Sequence, residues 1–385
     1  MANQQLTSAY AYRWKEPARP MLNIYHYRKR YGVDNPQFGL ADFEKKESTQ
    51  SVVSSGLLGK LPVELLYKIF LDLDIFSLEM VRELNAYFKR VLDGFREFRL
   101  LKQHASETFR IMYGVDIHHV WTLSEIFTEF THPWCRTCGR FGPFVFLLTF
   151  TRCCYNCLLD HEDYELAPAY DLAIYYMLTK EECRKLPVLR SLRNDYGTYK
   201  CFAHDTETLV ASFKTVSELS MEIYGSTENL NKCKKVRDER ALVEFNSARS
   251  RMRGWLDIRH KGDFPPPPKP VRPACFKSFV FNKRELLRYR FMASTAFPYW
   301  DLAKEKVETG AYCSACTKHW EEPEGGLRTL SGGPEEARYY MAFMEEELPD
   351  HFRECEATKR GLVRENRTLE RFPGGRSGEN FLVEF

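Results

Sequence analysis

The sequence has no apolar run near the ~18 residues that a membrane-spanning helix needs, and no excess of charge of either sign. Its 56 basic and 53 acidic residues leave a net charge of +3, without the electrostatic signature of a nucleic-acid-binding or membrane-surface protein. The first residues, MANQQLTSAYAYRWKEPARP, contain no hydrophobic segment, which argues against a secretory signal. We therefore expect a protein of the cytoplasm or nucleus with no membrane partner.

Motifs of the common enzyme classes are missing as well. The sequence has no Walker-type loop, no GxSxG, no HExxH, no GxGxxG and no repeat of solenoid length. We therefore expect a protein that is not an enzyme. A hydrophobic content of 44%, with 28 Phe and 21 Tyr, indicates a globular chain, and 385 residues suffice for two or three domains.

Residues 57–98, LLGKLPVELLYKIFLDLDIFSLEMVRELNAYFKRVLDGFREF, predict three short helices. Pro62 suits a first helical turn, where its missing N–H costs nothing, and apolar residues follow at helical spacing. Ser77 is the predicted cap of the second helix, and the third should begin near Asn85 and end at Gly94. Helices this short bury little surface alone, so they must share a core or lean on a partner.

The pattern Leu61-Pro62-x-Glu64-Leu65-Leu66, followed by Ile69-Phe70-x-x-Leu73-Asp74, resembles the F-box. An F-box is a helical hook that docks onto a Skp-type adaptor in cullin-based ubiquitin ligases. The resemblance implies that the adaptor is bound by Leu61, Pro62, Leu65 and Ile69. The alternative interpretation is an ordinary helical hairpin inside a larger core.

The residues after this segment predict further helices. Apolar spacing from Glu97 to Gly114 predicts one amphipathic helix that packs the first three onto the rest of the protein. Thr122-Leu-Ser-Glu125 is a capping box that opens a helix through Phe130, and Thr179-Lys-Glu-Glu182 opens another that should end before Pro187.

Two of the cysteine pairs, Cys135-x-x-Cys138 and Cys154-x-x-Cys157, have the spacing of a structural zinc site. In a reducing compartment, clustered thiols indicate metal binding more than disulfides. Each pair turns back on itself, so four sulfurs can complete a tetrahedron that leaves no position for water. Cys153 is the alternative to Cys154, and buried apolar cysteines without metal are the alternative to the site. The residues between the pairs, 141–150, predict a strand or hairpin.

The stretches CRTCGRFGPFVFLLTFTRCCYNCL (135–158) and KLPVLRSL (185–192) resemble a family of fungal F-box proteins. In that family a Cys-rich, zinc-ribbon-like region follows the F-box, and a later ordered module ends at a Cys-x-x-Cys. The resemblance implies the same order of domains here and adds no catalytic residue.

A second metal site is predicted from Cys313-x-x-Cys316 together with His351 and Cys355. Residues four apart share one helix face, so His351 and Cys355 can reach the same ion, and Asp350 is the predicted cap of their helix. The pairing resembles a zinc finger with an enlarged insertion. His319 is the competing fourth ligand, and a buried Cys355 thiol beside a surface His351 is the alternative to the site.

The region between the two predicted sites is charged and then rich in proline. Residues 228–261 can form a helix, and acidic residues interrupt its basic run, which favours a solvated face over a nucleic-acid surface. The segment DFPPPPKPVRP (263–273) predicts a stiff polyproline II spacer, with an SH3 or WW ligand as the alternative.

Together these patterns predict an α+β, mostly helical protein: a three-helix F-box followed by a zinc-stabilised mixed α/β module with short strands. The predicted organisation is a disordered tail (1–50), the F-box and following helix (51–115), a zinc-ribbon-like and helical region (116–225), a charged helix and proline-rich linker (226–272), a C-terminal module (273–370) and a second disordered tail (371–385). The predicted function is an F-box substrate receptor that bridges a Skp-type adaptor, with its cullin, to an unidentified target for ubiquitin-dependent degradation. The alternative is a zinc-dependent nucleic-acid-binding or regulatory protein. The predicted cofactor is structural zinc, at one site or at both.

Overall fold

The computed structural model describes residues 11–12, 56, 58–192, 194–196, 202–204, 207–257, 265–277, 281, 286, 289–321 and 340–361. Within these residues the chain is mostly helical and carries small antiparallel sheets, which confirms the predicted α+β class. No helix in this part of the chain combines the length and apolar character that crossing a bilayer requires. The second predicted tail, 371–385, lies outside the described residues.

Six short helices open the main part of the structure. They are α1 (Val63–Leu71), α2 (Ile75–Leu84), α3 (Ala86–Gly94), α4 (Arg96–His104), α5 (Ser106–Gly114) and α6 (Leu123–Phe130). We call α1, α2 and α3 the hook. Asn85 caps α3 and Thr122 opens α6 with a full capping box, both as predicted.

Two predictions in this region are wrong. The cap of α2 is Asp74, whose Oδ1 accepts hydrogen bonds from the backbone N–H groups of Phe76 (3.0 Å) and Ser77 (2.9 Å). Ser77 is therefore inside the helix, because the carboxylate is a strong acceptor at the position before the first turn. The single helix predicted over 97–114 is two helices, α4 and α5, because Ala105 leaves the helical conformation (φ −116°, ψ 20°). The break lets each half bury its own apolar face.

Two three-stranded antiparallel sheets lie in the middle of the chain. The segment predicted as a strand or hairpin, 141–150, contains β2 (Phe144–Phe146). This strand forms a hairpin with β3 (Thr151–Cys153), and β9 (Ser294–Ala296) pairs with the other edge of β2. In the other sheet, β8 (Leu209–Ser212) lies between β4 (Leu166–Pro168) and β5 (Leu189–Arg190).

Two-stranded antiparallel pairs complete the strands described. They are β6 (Asn194–Tyr196) with β7 (Phe202–His204), β10 (Tyr299–Asp301) with β11 (Lys306–Glu308), and β1 (Ala11–Tyr12) with β12 (Tyr312–Cys313). The last pair includes residues 11 and 12, which lie in the segment predicted as a tail. Ala11 is paired with Cys313. The edge of β12 offers unpaired backbone groups that a distant segment can satisfy.

The remaining helices are mostly short. They are α7 (Tyr155–Asp160), α8 (Ala169–Tyr175), α9 (Lys180–Cys183), α10 (Phe213–Tyr224), α11 (Thr227–Leu256), α12 (Ser314–Glu321), α13 (Leu348–Glu354) and α14 (Glu356–Lys359). The exception is α11, whose 30 residues include only one buried side chain, that of Leu230. This agrees with a charged helix that is largely solvated.

One large apolar core connects the hook with the Cys-rich region. It contains Leu66 and Phe70 of α1 together with Val145 and Phe146 of β2. The boundary predicted between residues 115 and 116 therefore does not coincide with a gap in the core.

Candidate metal centres

The first predicted set of metal ligands comes together, since the Sγ atoms of Cys135, Cys138, Cys154 and Cys157 all lie within 4.8 Å of one another. We call this group the first centre. A tight turn carries the first pair, where the Cys135 N–H donates to Arg140 O (2.7 Å) and the Gly139 N–H donates to Cys135 O (2.9 Å). Gly139 has a φ of 72°, a left-handed conformation that glycine adopts without a steric penalty. Cys154 precedes α7 and Cys157 lies in its first turn, so both sulfurs face one side.

The dimensions of the first centre suit a metal ion and not a disulfide. The Sγ atoms of Cys138 and Cys154 lie 3.6 Å apart. A disulfide requires about 2.05 Å. A tetrahedron built on Zn–S bonds of about 2.3 Å has sulfur–sulfur edges of about 3.8 Å. The geometry can therefore hold a tetrahedral zinc ion.

Electrostatics at the first centre also favour a bound cation. Hydrogen bonds with Cys154 and Cys157 lower the pKa of Cys135 far below its usual range. The contact with Cys135 raises the pKa of Cys154 to about 12, and contacts with Cys135 and Cys154 raise the pKa of Cys157 as well. One thiolate forms readily, but each further thiolate would repel it. Deprotonation of Cys154 and Cys157 beside the Cys135 thiolate therefore needs the positive charge of a metal.

Cys153, the competing ligand, does not join the first centre. It is fully buried at the end of β3 and packs in the large core. Burial raises the pKa of its thiol well above the usual value, which disfavours the thiolate that a metal requires. The geometry favours Cys154 over Cys153.

Arg152 supports the first centre and was missed in the sequence. Its side chain is fully buried, and its guanidinium donates to the carbonyl oxygens of Glu129, Gly142, Phe297 and Pro298, at 2.6 to 3.1 Å. Burial lowers the pKa of Arg152 to about 10, against the opposing effect of the Glu129 carboxylate, so the guanidinium stays charged near neutral pH. An arginine beside a cysteine pair gives no sequence signal for this role, because arginines are usually exposed.

The Glu129 side chain extends this network to the predicted metal ligands. Its Oε2 accepts a hydrogen bond from the backbone N–H of Arg152 at 2.9 Å. Its Oε1 accepts two hydrogen bonds from the Arg136 guanidinium, at 2.6 and 2.9 Å. Arg136 lies between the ligands Cys135 and Cys138. The network thus joins α6, β3 and the first cysteine pair.

The second predicted set also comes together. The ligand atoms of Cys313, Cys316, His351 and Cys355 lie within 4.8 Å of one another, and we call this group the second centre. Cys316 Sγ lies 3.4 Å from Cys355 Sγ and 3.6 Å from His351 Nε2. Tetrahedral zinc with three sulfurs and one nitrogen has edges of about 3.5 to 3.8 Å. The group has the shape of a Cys₃His site.

Two details of the second centre differ from expectation or were left open. The helix that carries His351 begins at Leu348, with Pro349 in its first turn, so Asp350 lies inside it and is not its cap. Proline is favoured in a first turn because it has no N–H to leave unpaired. His319 belongs to α12 and lies outside the group, so the geometry favours His351 as the fourth ligand.

At the second centre a histidine as well as cysteines has a shifted pKa, unlike at the first centre. Hydrogen bonds with Cys313 and Cys316 lower the pKa of Cys355 far below its usual range, and hydrogen bonds with Cys313 and Cys355 raise the pKa of Cys316. Burial lowers the pKa of His351, but hydrogen bonds with Cys313 and Cys355 outweigh burial and raise it to about 9. Without metal the site favours an imidazolium beside a thiolate. A metal ion must displace that proton before His351 can bind it.

The second centre has a small core of its own. That core consists of Ala311, Cys313, Ala315, Cys316, Leu348, Phe352, Cys355 and Ala357. The ring of Phe343 packs on the His351 imidazole at a centroid distance of 4.3 Å. Three of the eight buried residues are the cysteine ligands themselves.

The predicted adaptor-binding residues lie on and next to α1. Leu65 and Ile69, four residues apart, are 44% and 40% exposed, whereas Leu66 and Phe70 on the other side are buried. Pro62 is exposed, and Leu61 is half-buried and packs against the large core. Among the described residues, six of the 17 exposed large apolar side chains lie on the hook, between Val63 and Leu84. Exposed apolar surface is thus concentrated on the hook.

Comparison of the chain with protein-family models, with curated proteins and with solved structures finds no match. The residues and their geometry therefore carry the functional inference.

Proposed function

We propose that this protein is a substrate-receptor subunit of a Skp-cullin-type ubiquitin ligase. The hook binds the Skp-type adaptor, and through it the cullin, and the zinc-stabilised region that follows binds the protein to be ubiquitylated. The observation that carries the proposal is the pair Leu65 and Ile69. They are exposed on the helix where the F-box-like pattern lies, while their neighbours Leu66 and Phe70 are buried.

The two faces of α1 have different roles in this proposal. Leu66 and Phe70 hold the helix on the core, so they keep its position fixed. Leu65 and Ile69 remain available to a partner, and burying one such side chain fully contributes about 1.5–3 kcal/mol. An exposed apolar concentration of this kind is typical of a protein–protein contact.

Zinc has a structural role in the proposal. We propose one zinc ion in each centre, held by four protein ligands, with no coordination position open to water. The chain then performs no covalent step itself. It brings its target close to the ubiquitin-charged conjugating enzyme and so raises the effective concentration of the target lysines.

The alternative, a zinc-dependent nucleic-acid-binding protein, has less support. It rests on α11, which carries eight basic residues that are interrupted by three acidic ones, Asp238, Glu239 and Glu244. That pattern does not form the continuous basic stripe that binding of nucleic-acid phosphates requires.

The test is a binding assay between the full chain and a purified Skp-type adaptor. Charge introduced by Leu65→Asp with Ile69→Asp should weaken binding by at least about 30-fold, the effect of losing a contact worth 2 kcal/mol. The matched control is Leu242→Asp with Val243→Asp, two apolar residues of α11 that are 49% and 65% exposed. The control should bind as the wild type does.

Two results would contradict the proposal. Unchanged binding by the Leu65/Ile69 variant would show that α1 is not the docking surface. Absence of binding by the wild-type chain would remove the ubiquitin-ligase assignment itself. Zinc content, measured on the same variants, should stay at two ions per chain and verifies that the fold is intact.

A further inference from the structure

A third group of metal-ligating side chains lies in the loop between α5 and α6. Asp116, His118 and His119 each offer one ligand atom, and these atoms lie within 4.8 Å of one another. None of the three belongs to a thiolate centre. Asp116 and His119 are exposed and His118 is half-buried, so an ion from solvent can reach the group.

The backbone presents Asp116 in an unusual way. It has a φ of 62°, in the left-handed region that favours glycine. Two hydrogen bonds hold it there, from Asp116 N–H to Tyr113 O (3.1 Å) and from Ile117 N–H to Met112 O (2.9 Å). This is the turn that ends many helices, and glycine is its usual residue at the left-handed position. Here an aspartate occupies that position and carries its carboxylate to the two imidazoles.

The ring of His118 is held in place by its neighbours. It stacks on Tyr113 at a centroid distance of 4.3 Å and an interplanar angle of 5°, and it meets the edge of Phe76 at 5.4 Å. Its Nδ1 is buried and has no hydrogen-bond partner among the described residues. A buried imidazole nitrogen without a partner is unfavourable unless something else satisfies it. Restrained rings also lose little freedom when they bind a ligand.

Nearby charges act on the group in opposite directions. Asp74, the cap of α2, adds a negative charge that acts on His118 and favours a cation. Arg190 opposes it, since its Nη2 lies 3.4 Å from Asp116 Oδ2 and competes for the carboxylate. Both side chains of this ion pair are about half exposed, so the attraction between them is weak.

We propose that Asp116, His118 and His119 bind a divalent transition-metal ion of the Zn²⁺ or Co²⁺ class. Imidazole nitrogen and carboxylate oxygen suit these ions, and three protein ligands leave at least one position open for water or a partner's side chain. This site lacks thiolates, so its ion exchanges more easily than an ion in either thiolate centre. The inference is independent of the ubiquitin-ligase proposal.

The test is a titration with Co²⁺ of the full chain after dialysis to two zinc ions per chain, one in each thiolate centre, so that the Asp116–His119 site is empty. Calorimetry and visible absorption follow the binding. We expect one saturable equivalent whose spectrum lacks the thiolate-to-cobalt charge-transfer band that a Cys site would give. Asp116→Asn keeps a residue that tolerates the left-handed conformation and removes the charge. It should weaken binding at least tenfold, as should His118→Phe with His119→Gln, in which an aromatic ring still stacks on Tyr113.

Two further variants sharpen the result. Arg190→Gln frees the Asp116 carboxylate and should strengthen Co²⁺ binding. The matched control is His161→Gln, because His161 also lies beside a carboxylate, with Nδ1 3.7 Å from Asp163 Oδ2. Its binding should equal that of the wild type. Four results would each overturn the proposal. The wild type could fail to bind one saturable equivalent of Co²⁺, or its spectrum could show a thiolate band. The Asp116 or histidine variants could bind as the wild type does, or the His161 control could lose binding.

Discussion

The first and second centres each unite four ligands within the same spacing, but they lie in different surroundings. The first lies against the large core, and the Arg152–Glu129 network fixes the strands and helix around it. The second lies in a core of eight buried residues, three of which are its own cysteines. Because so little apolar area lies there besides the predicted ligands, we expect the second region to depend for its order on the zinc ion proposed for it. The first region has a second source of stability.

The largest expected effect compares the loss of one ligand in each centre. Cys316→Ser should reduce zinc from two ions per chain to one and remove amide-exchange protection from α12, α13 and α14, because structural zinc contributes about 10–16 kcal/mol in small metal-dependent folds. Cys154→Ser should also remove one zinc, yet β2 and β3 should keep measurable protection from the large core. Hydrogen exchange with mass spectrometry and elemental analysis provide both readouts. Equal loss of amide-exchange protection in the two variants would contradict the prediction that only the second centre depends on its zinc ion for order.

A smaller effect is expected from the arginine network. Arg152→Met removes the donor from four backbone carbonyl groups and should lower the free energy of unfolding by about 3–5 kcal/mol. Arg136→Met is the control, since Arg136 bonds the same Glu129 but its side chain is 40% exposed. It should cost about 1 kcal/mol or less.

Denaturant unfolding of the zinc-loaded proteins measures this difference. Similar costs for the two arginine variants would mean that burial of Arg152 adds nothing to the stability of the first centre.

Gly142→Ala offers a separate approach to the same network. A Cβ at that position would lie 2.7 Å from Cγ of Arg152, so the side chain must shift. The substitution should cost about 1–3 kcal/mol.

The smallest effect is expected at the residues that compete as ligands. Cys153→Ala and His319→Ala should each leave two zinc ions per chain, because neither residue belongs to its centre. Cys154→Ala and His351→Ala should each leave one. Elemental analysis decides between them, and a zinc ion lost with Cys153 or retained without Cys154 would reverse the assignment at the first centre.

Local patterns predicted a large part of this structure. The capping boxes at Thr122 and Thr179, the cap at Asn85 and the hairpin between the first two cysteine pairs are all present. Each depends on residues within a few positions of one another, where helical or hairpin geometry alone decides which atoms meet. The same reason explains why the spacing of each cysteine pair could predict that its two sulfurs lie close together.

Features that depend on distant segments were missed or left open. Arg152 donates to Phe297, 145 residues further along the chain, and Ala11 pairs with Cys313. No short window of sequence contains either contact. The kink at Ala105 depends on two apolar faces that must reach the same core from different directions. The Asp116–His119 run did carry a local signal, since two histidines and an aspartate within four residues suit a metal.

By itself, the sequence determined the α+β, mostly helical class, the helices of the hook and the cysteine pairs, because helical periodicity, caps and ligand spacing act over a few residues. Tertiary structure alone decided that Cys154 and His351 join their centres while Cys153 and His319 do not. It also decided that Leu65 and Ile69 stay exposed beside buried Leu66 and Phe70. Which side of a strand end or helix faces an ion or a core is decided by segments that arrive from far along the chain. Contacts between such distant segments form only when the whole chain folds, because the long loops between them must close and the side chains must fill a common core.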